Sequence, residues 1–323
     1  YKGRAGMDAK VILSTSMNLD LTVNPDYSQV EVDQQVTNLD RFEIFFPEKR
    51  KFFLENSDLF ANLGTETLRP FFSRRIGLDQ PVIAGARLSG NAGENWRIGL
   101  MDMQTAATDE HSADNFAVAV LQRKVLARSN VGAFLTNKQV ITNPGDSVAL
   151  YDFNRVAGGE FNFASADNNW TGKVFYHHSF NPGEEGNRFA TAAMISYDTE
   201  QFKAGWNQAY VGANYLAEMG FVRRNAYHQS NPSIGYRFYT MSDRSAYHGP
   251  ALDVDVIWDP DFTLTDRATE LTYMLMWRDR RSIELELENN YVLLLEDWVP
   301  SNSGGVPIPA GSEFKFNEVS LAY

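Results

Sequence analysis

Three glutamates at alternate positions are the residues whose type and spacing come closest to a catalytic arrangement. They are Glu284, Glu286 and Glu288, in the stretch SIELELEN. Alternate residues of a β-strand share a face and lie about 6.5–7 Å apart, at the low end of the spacing between the carboxyl groups of an inverting glycosidase. A row of carboxylates is also typical of a channel wall that favours cations. The second interpretation is preferred, and no catalytic residue is assigned.

Other candidate ligands lack the spacing of a metal site. Four aspartates lie close together in DVDVIWDPDF: Asp253, Asp255, Asp259 and Asp261. Because the stretch lacks the glycine and distal glutamate of an EF-hand loop, a solvated acidic edge is preferred to a calcium site. His177 and His178 are adjacent on an expected strand, so one should face the interior and the other should lie near a rim. No metal or cofactor is assigned.

Two arginine pairs lie in the otherwise apolar stretches FFSRRIGL and GFVRRNAY: Arg74 and Arg75, and Arg223 and Arg224. One member of each pair is expected to face the interior and to brace it by pairing with acids. The acids named for this role include Glu43, Glu48 and Glu55. The alternative is a site for an anionic ligand such as a uronic sugar. The rings that could stack on such a sugar are Trp206, Tyr210 and Tyr215.

The composition excludes several classes of function. The net charge of −12, without a basic cluster, argues against nucleic-acid binding. The absence of cysteine excludes disulfides, zinc-thiolate sites and a cysteine nucleophile. The chain contains no GxxxxGK[ST], GxSxG or HExxH motif, so an enzyme is not favoured. It has no apolar run long enough for a transmembrane helix, and YKGRAGMDAK lacks the apolar core of a signal peptide.

Alternation of apolar and polar residues is the main structural pattern. In LDVDVIWD, Leu252, Val254 and Val256 fall on one face, opposite Asp253 and Asp255. Similar segments recur along the chain and are separated by turns rich in glycine and asparagine, which predicts an antiparallel meander. A soluble sandwich or propeller and a membrane barrel would both produce this pattern. No repeat of the length of a propeller blade is present.

Three features favour the membrane barrel. Many segments have the length of about 10 residues that a tilted strand needs to cross a bilayer. Their polar faces carry acids, which suit a wet lumen. Aromatic residues lie at segment ends, as an interfacial girdle requires: Trp170, Tyr197, Trp258 and Trp277. We therefore predict an all-β fold, an antiparallel transmembrane β-barrel of about 14–16 strands or more, in which residues 1–323 form one domain of a longer chain.

The run FEIFFPEKRKFFLENSDLF, residues 42–60, departs from this alternation. Val32, Val36, Leu39, Phe42 and Phe46 are spaced three to four residues apart, which predicts a short amphipathic helix ending before Pro47. Lipid-facing strands do not bury such charges cheaply, so residues 31–64 are predicted to be a plug-like or periplasmic insertion. A hydrophobic minicore under an ordinary loop is the alternative. The plug-like residues are Phe42, Phe45, Phe46, Glu48, Arg50, Phe52, Phe53 and Glu55.

The stretch LDLTVNPDYSQVEVDQQVTNLDRFEIFFPEKRKFFLENSDLF resembles a family of Gram-negative outer-membrane barrels of unknown function (domain of unknown function 5916). The resemblance continues, in order, through FFSRRIGL, GARLSG, NWRIGLMDMQT, NFAVAVLQRKVLARSNVGAFLTN and MGFVRRNAYHQSNPSIGYRF. It implies an outer-membrane location, and an N-terminal module like the family-9 carbohydrate-binding domains in full-length members.

These observations lead us to expect a binding or transport-related role in the outer membrane. The expected partners are outer-membrane lipid, saccharide ligands, and other outer-membrane or periplasmic proteins. A plugged structural subunit of a larger complex is the first alternative. A hydrolase acting on surface glycans is the second alternative.

Overall fold

β-Strands dominate the chain. The computed structural model describes residues 6–25, 33, 36–38, 40–141, 152–183, 185–241, 244–300 and 305–323. The strands are β1 (Met7–Ser14), β2 (Met17–Val23), β3 (Leu68–Arg69), β4 (Val82–Ala92), β5 (Trp96–Thr105), β6 (Ala113–Val125), β7 (Ser129–Ile141), β8 (Phe153–Ala164), β9 (Trp170–Phe180), β10 (Phe189–Asp198), β11 (Phe202–Val211), β12 (Phe221–Val222), β13 (Tyr227–Tyr236), β14 (Phe238–Tyr239), β15 (Ser245–Trp258), β16 (Leu264–Trp277), β17 (Ser282–Leu293) and β18 (Glu313–Ala322).

Sixteen of these strands form one antiparallel sheet. Its order is β1-β2-β4-β5-β6-β7-β8-β9-β10-β11-β13-β15-β16-β17-β18, and β14 continues the row of β13 by pairing with β15. Neighbours in the sheet follow one another along the chain, so the predicted antiparallel meander is confirmed. Within the described residues, β1 and β18 are the two edges and do not pair with each other, so the sheet is not closed into a barrel.

The two faces of the sheet differ in chemistry. We call the face that contacts the segment 40–81 the inner face and the opposite one the outer face. Lys173, Phe175 and His177 of β9 point inward, whereas Val174 and Tyr176 alternate with them and are exposed outside. The outer face as a whole is apolar and exposed, which is the reverse of the usual distribution in a globular protein.

The two rims of the sheet differ in the length of their connections. One rim, the short-turn rim, carries the connections 15–16, 93–95, 126–128, 165–169, 199–201, 237–244 and 278–281. The other, the long-connection rim, carries 24–81, 106–112, 142–152, 181–188, 212–226, 259–263 and 294–312. The segment with the aromatic and charged run therefore leaves and re-enters the sheet at the long-connection rim.

Residues 24–81 between β2 and β4, which we call the insertion, extend beyond the predicted 31–64 on both sides. The described part contains helices α1 (Lys51–Leu54) and α2 (Asp58–Ala61), a 3-10 turn at Ser73–Arg75, and β3, which pairs with β12. Apolar side chains of the insertion belong to the main core, and Gly99 of β5 lets the Phe60 ring approach the sheet closely. Within the described residues, no helix is long and apolar enough to cross a membrane.

The helix predicted before Pro47 is wrong for the residues that the structure describes. Residues 36–38 and 40–46 are not helical, whereas Val32 and Leu39 lie outside the described residues. Phe42, Phe45 and Phe46 instead contact separate arginine side chains of neighbouring segments. Their spacing of three to four residues reflects tertiary contacts with different partners and not one face of a helix.

Candidate functional site

A buried ion pair fixes the insertion to the first strands of the sheet. Arg87 of β4 is 1% exposed and binds Asp20 of β2 at 2.7 Å. The same guanidinium donates a hydrogen bond to the carbonyl oxygen of Phe52 and lies 5.1 Å from the centre of the Phe52 ring. Because a buried charge is costly unless it is paired, these contacts hold α1 firmly against the inner face.

A second buried cluster binds main-chain groups of the turn that follows α2. The Glu160 carboxylate on β8 accepts hydrogen bonds from the Gly64 N–H at 2.6 Å and from His177 Nε2 at 3.0 Å. Lys173 of β9 lies 2.9 Å from the same carboxylate and donates to the carbonyl oxygens of Asn62 and Gly64, both at 2.6 Å. Gly64 has a φ of +72°, and a Cβ there would lie 2.0 Å from the Leu68 carbonyl oxygen. Only glycine fits this position without strain.

Glu48 and Arg50 of the aromatic run form contacts within the insertion. Glu48 and Arg50 are paired at 2.7 Å, and Arg50 also donates to the carbonyl oxygens of Ile76 and Ser73. Burial alone would raise the pKa of Glu48. The hydrogen bond and charge of Arg50, with the Ser73 hydroxyl, outweigh burial and hold that pKa below its ordinary value of 4.5. Glu48 therefore stays ionised at neutral pH and keeps its contacts with Arg50 and Ser73.

The remaining plug-like residues differ in their contacts and in how far they are buried. Phe45 packs on Phe72 and Phe221, whereas Phe52 and Phe53 contact each other edge to face. Phe53 is buried in the core, and the Arg50 guanidinium lies 4.3 Å from the centre of its ring. Glu55 is exposed and binds Lys10 of β1.

The two arginine pairs do not follow the expected inside–outside alternation. Neither pair lies on a strand of the large sheet: Arg74 and Arg75 are in the 3-10 turn, and Arg223 and Arg224 follow β12. All four arginines bind carboxylates, and Glu43 is among the acids expected for this role. The carboxylates are Asp33 for Arg74, Glu43 for Arg75, Asp40 for Arg223 and Asp266 for Arg224.

Carboxylates concentrate on the inner face of β15–β18. Glu270 of β16 is directly opposite Glu288 of β17, which is directly opposite Glu318 of β18. Within the described part of the chain, none of these three glutamates takes part in an ion pair. On the next strands, Asp253 accepts from Asn231 at 2.8 Å and Asp255 from Gln229 at 2.7 Å. We call this surface the acidic strip; its members are Asp253, Asp255, Glu270, Glu284, Glu286, Glu288 and Glu318.

The acidic strip contains members that the sequence alone did not single out. Glu284 and Glu286 are opposite Met274 and Thr272. Charge is therefore concentrated where Glu288 is opposite Glu270. Glu270 and Glu318 were missed because neither lies in an obvious acidic stretch. The signal that reveals them is the register between three strands, which the alternation pattern within each strand does not specify.

A cavity of about 550 Å³ opens at the long-connection rim beside the acidic strip. Its floor is a trio in which Arg41 and Arg224 both bind Asp266. The Phe42 ring lies within 5.9 Å of three guanidinium groups, those of Arg41, Arg223 and Arg224. We call this group the arginine–Phe42 cluster. Arg41 and Asp266 were also missed from the sequence, because they are far apart along the chain.

The other candidate residues do not assemble into a site. Trp206 and Tyr210 lie on the outer face, where Tyr210 contacts Phe189 and His228, whereas Tyr215 is buried, so the three rings do not form the sugar platform considered above. His177 is inside and His178 outside, as predicted. Asp259 accepts from the N–H groups of Asp261 and Thr263 in a turn. No group of three or more potential metal ligands occurs among the described residues.

Comparison with known proteins gives one match, to a family model. Residues 1–95 match a domain of unknown function (DUF5916), which covers β1, β2, the insertion and β4. Neither the curated proteins nor the solved structures contain a match to the chain. Over its first 95 residues, the chain is therefore similar to a family whose function is unknown.

Proposed function

We propose that the chain forms most of an outer-membrane β-barrel that passes small solutes. The observation that carries this proposal is a pair of aromatic belts on the outer face. In four neighbouring strands, rings or imidazoles recur eight residues apart: 170 and 178, 189 and 197, 202 and 210, 228 and 236. At the strand rise this is roughly 26 Å along the strand, or about 20 Å across a membrane at the usual tilt.

The belts are continuous between strands. Near one rim Trp170 contacts Tyr197 and Tyr197 contacts Phe202; near the other, Tyr210 contacts Phe189 and His228. Between them the outer face is exposed and apolar. Membrane barrels have this arrangement, an apolar band of about 25 Å flanked by aromatic girdles. The similarity of residues 1–95 to a family of unknown function is compatible with the proposal and does not specify a solute.

Strand direction limits how the barrel could close. β1 and β18 both run from the long-connection rim to the short-turn rim, so they could not pair with each other in antiparallel fashion. An antiparallel barrel would therefore need an odd number of further strands, from another part of a longer chain or from elsewhere. The total number of rows would then be even, as in bacterial outer-membrane barrels.

Loop length orients the proposed barrel. In outer-membrane barrels the short turns face the periplasm and the longer connections face outward. The insertion would then be a surface loop folded into the lumen, and not a periplasmic element. It fills the side next to β2–β9 and leaves the acidic strip beside the open space. Solutes would pass along that strip, which favours cations.

Planar-bilayer conductance of the closed barrel, that is, of this chain together with the strands that complete it, tests this proposal. We expect steady channels that prefer potassium to chloride. The triple variant Glu284→Gln, Glu286→Gln, Glu288→Gln should reduce that preference. Glu66→Gln, which removes one exposed acid of the insertion, is the control for loss of a charge outside the strip. A correctly folded barrel that stays silent would contradict transport.

A plugged structural subunit is the second candidate function. It is favoured by the contacts of Arg87, Glu160 and Lys173, which bind the insertion to the inner face. Purification under mild conditions distinguishes the two: a silent barrel with stoichiometric protein partners supports the structural role, whereas a conducting monomer contradicts it.

A further inference from the structure

The cavity at the long-connection rim has a composition suited to ligand binding. Trp298, Ile308 and Phe316 contribute apolar surface, whereas Gln229 and Asn290 contribute amides. Trp298 and Ile308 exchange two backbone hydrogen bonds, at 2.9 and 2.8 Å, which closes this wall into a defined shape. A mostly apolar concavity with a few convergent polar groups is the usual form of a small-molecule site.

The charged cluster at this cavity is mainly positive, whereas the whole chain is negative. In a protein of net charge −12, the arginine–Phe42 cluster brings three guanidinium groups around one ring, with Asp40 and Asp266 as their two carboxylate partners. Asp255 also borders the cavity, but its carboxylate accepts a hydrogen bond from Gln229. Cationic donors therefore exceed their carboxylate partners within the cluster itself.

The three arginines differ in how firmly they are held. Arg41 and Arg224 share the half-buried Asp266, and Arg224 also donates to the Thr265 hydroxyl at 3.0 Å. Arg223 is 44% exposed, and its partner Asp40 is 48% exposed. An exposed pair contributes little to stability, so a ligand carboxylate can replace Asp40 at Arg223 with small loss. A guanidinium presents a planar fork that matches a carboxylate.

We propose that this cavity binds a small organic carboxylate whose ring-shaped body packs against the apolar wall. The carboxylate is held by Arg223 and the body lies between Phe42 and Trp298. Such a ligand would not pass along the acidic strip, because the carboxylates of the strip repel it. It therefore occupies the mouth and reduces cation flow. The part concerning flow rests on the proposed function, whereas the binding itself does not.

Calorimetric titration of the full chain in detergent with benzoate tests the binding, with benzyl alcohol as the neutral analogue. Benzoate should bind measurably tighter than benzyl alcohol, and Arg223→Gln should weaken benzoate binding about tenfold with little effect on the alcohol, because one charged hydrogen bond is lost. The matched control is Arg237→Gln. Arg237 is 40% exposed and lies 3.8 Å from Asp198, which is 48% exposed, at the other rim. This variant should bind like the original chain.

The outcomes separate the two proposals. Equal affinity for benzoate and benzyl alcohol, or equal weakening by both arginine variants, overturns the binding site even if the barrel conducts. Benzoate binding that depends on Arg223 in a barrel that does not conduct supports the site and contradicts transport. In a conducting barrel, benzoate added on one side should lower the current in the original chain and not in Arg223→Gln; an equal block in both overturns the role of Arg223.

Discussion

The two sides of the inner face use charge in opposite ways. On β2–β9, Arg87, Glu160 and Lys173 each bind a group of opposite charge or a main-chain group of the insertion. On β16–β18, Glu270, Glu288 and Glu318 face one another across neighbouring strands. The first arrangement stabilises one conformation. The second costs stability, because like charges are directly opposite, and it concentrates negative potential along one side of the inner face.

The largest expected effect comes from removing one charge on the filled side. Arg87→Met leaves Asp20 without its guanidinium partner in a buried position. We expect the free energy of unfolding to fall by about 3–5 kcal/mol, the usual result of breaking a buried pair. Urea unfolding of the protein in detergent or lipid measures it.

The double variant Arg87→Met, Asp20→Leu is the control for that experiment. It removes both charges and should recover much of the lost stability, because replacing a whole buried pair by apolar groups is often nearly neutral. If the double variant is less stable than Arg87→Met alone, the Arg87–Asp20 pair is not the reason for the loss.

The next largest loss of stability is expected in the turn that Glu160 and Lys173 bind. Gly64→Ala introduces a Cβ at a φ of +72°, against the Leu68 carbonyl oxygen. We expect a loss of about 2–3 kcal/mol, since backbone strain and a steric clash add together. Gly93→Ala is a close control: its φ is +74°, but no atom of the described residues lies within 4 Å of the added Cβ. Equal losses in the two variants would show that the contact with the Leu68 carbonyl oxygen adds nothing to the backbone strain.

The sequence predicted the strands and their order in the sheet well, but it did not predict the register between them. Alternation placed Asp253 and Asp255 opposite Val254 and Val256 correctly, because strand geometry alone requires it. It could not place Glu270 beside Glu288, since register depends on turn lengths and on packing across strands. The predicted helix before Pro47 failed for a related reason. Periodicity within a segment of 15 residues was taken as one helix face, although its phenylalanines contact different arginines.

A third and smaller effect is the pH dependence of the stability that Glu48 contributes through its contacts with Arg50 and Ser73. Its pKa is lowered on folding, so its contribution to stability is present above the ordinary value of 4.5 and is lost as pH falls through the lower, folded value. Glu48→Gln should therefore cost about 1–2 kcal/mol at neutral pH, and the difference from the original chain should shrink below about pH 4. Glu94→Gln, in the exposed β4–β5 turn, is the control. A loss in Glu48→Gln that does not change with pH contradicts an ionised Glu48.

The smallest expected effect has the opposite sign and lies on the acidic strip. Glu288→Gln removes the central charge of the row formed by Glu270, Glu288 and Glu318. We expect a gain of about 0.5 kcal/mol in the free energy of unfolding, because two direct like-charge contacts disappear. We also expect a reduced preference for cations in bilayer recordings, so stability and selectivity should change in opposite directions.

Glu284→Gln is the matched control for Glu288→Gln, because no carboxylate is directly opposite Glu284 on the described neighbouring strands. Its cross-strand neighbours are Met274 and Ala322, so its removal should leave stability nearly unchanged while also lowering cation preference. If Glu288→Gln destabilises the protein, then Glu288 makes favourable contacts that outweigh its repulsion from Glu270 and Glu318. The contrast between the β2–β9 side, whose charges stabilise the fold, and the acidic strip, whose charges cost stability, would then fail, because both sides would stabilise the fold.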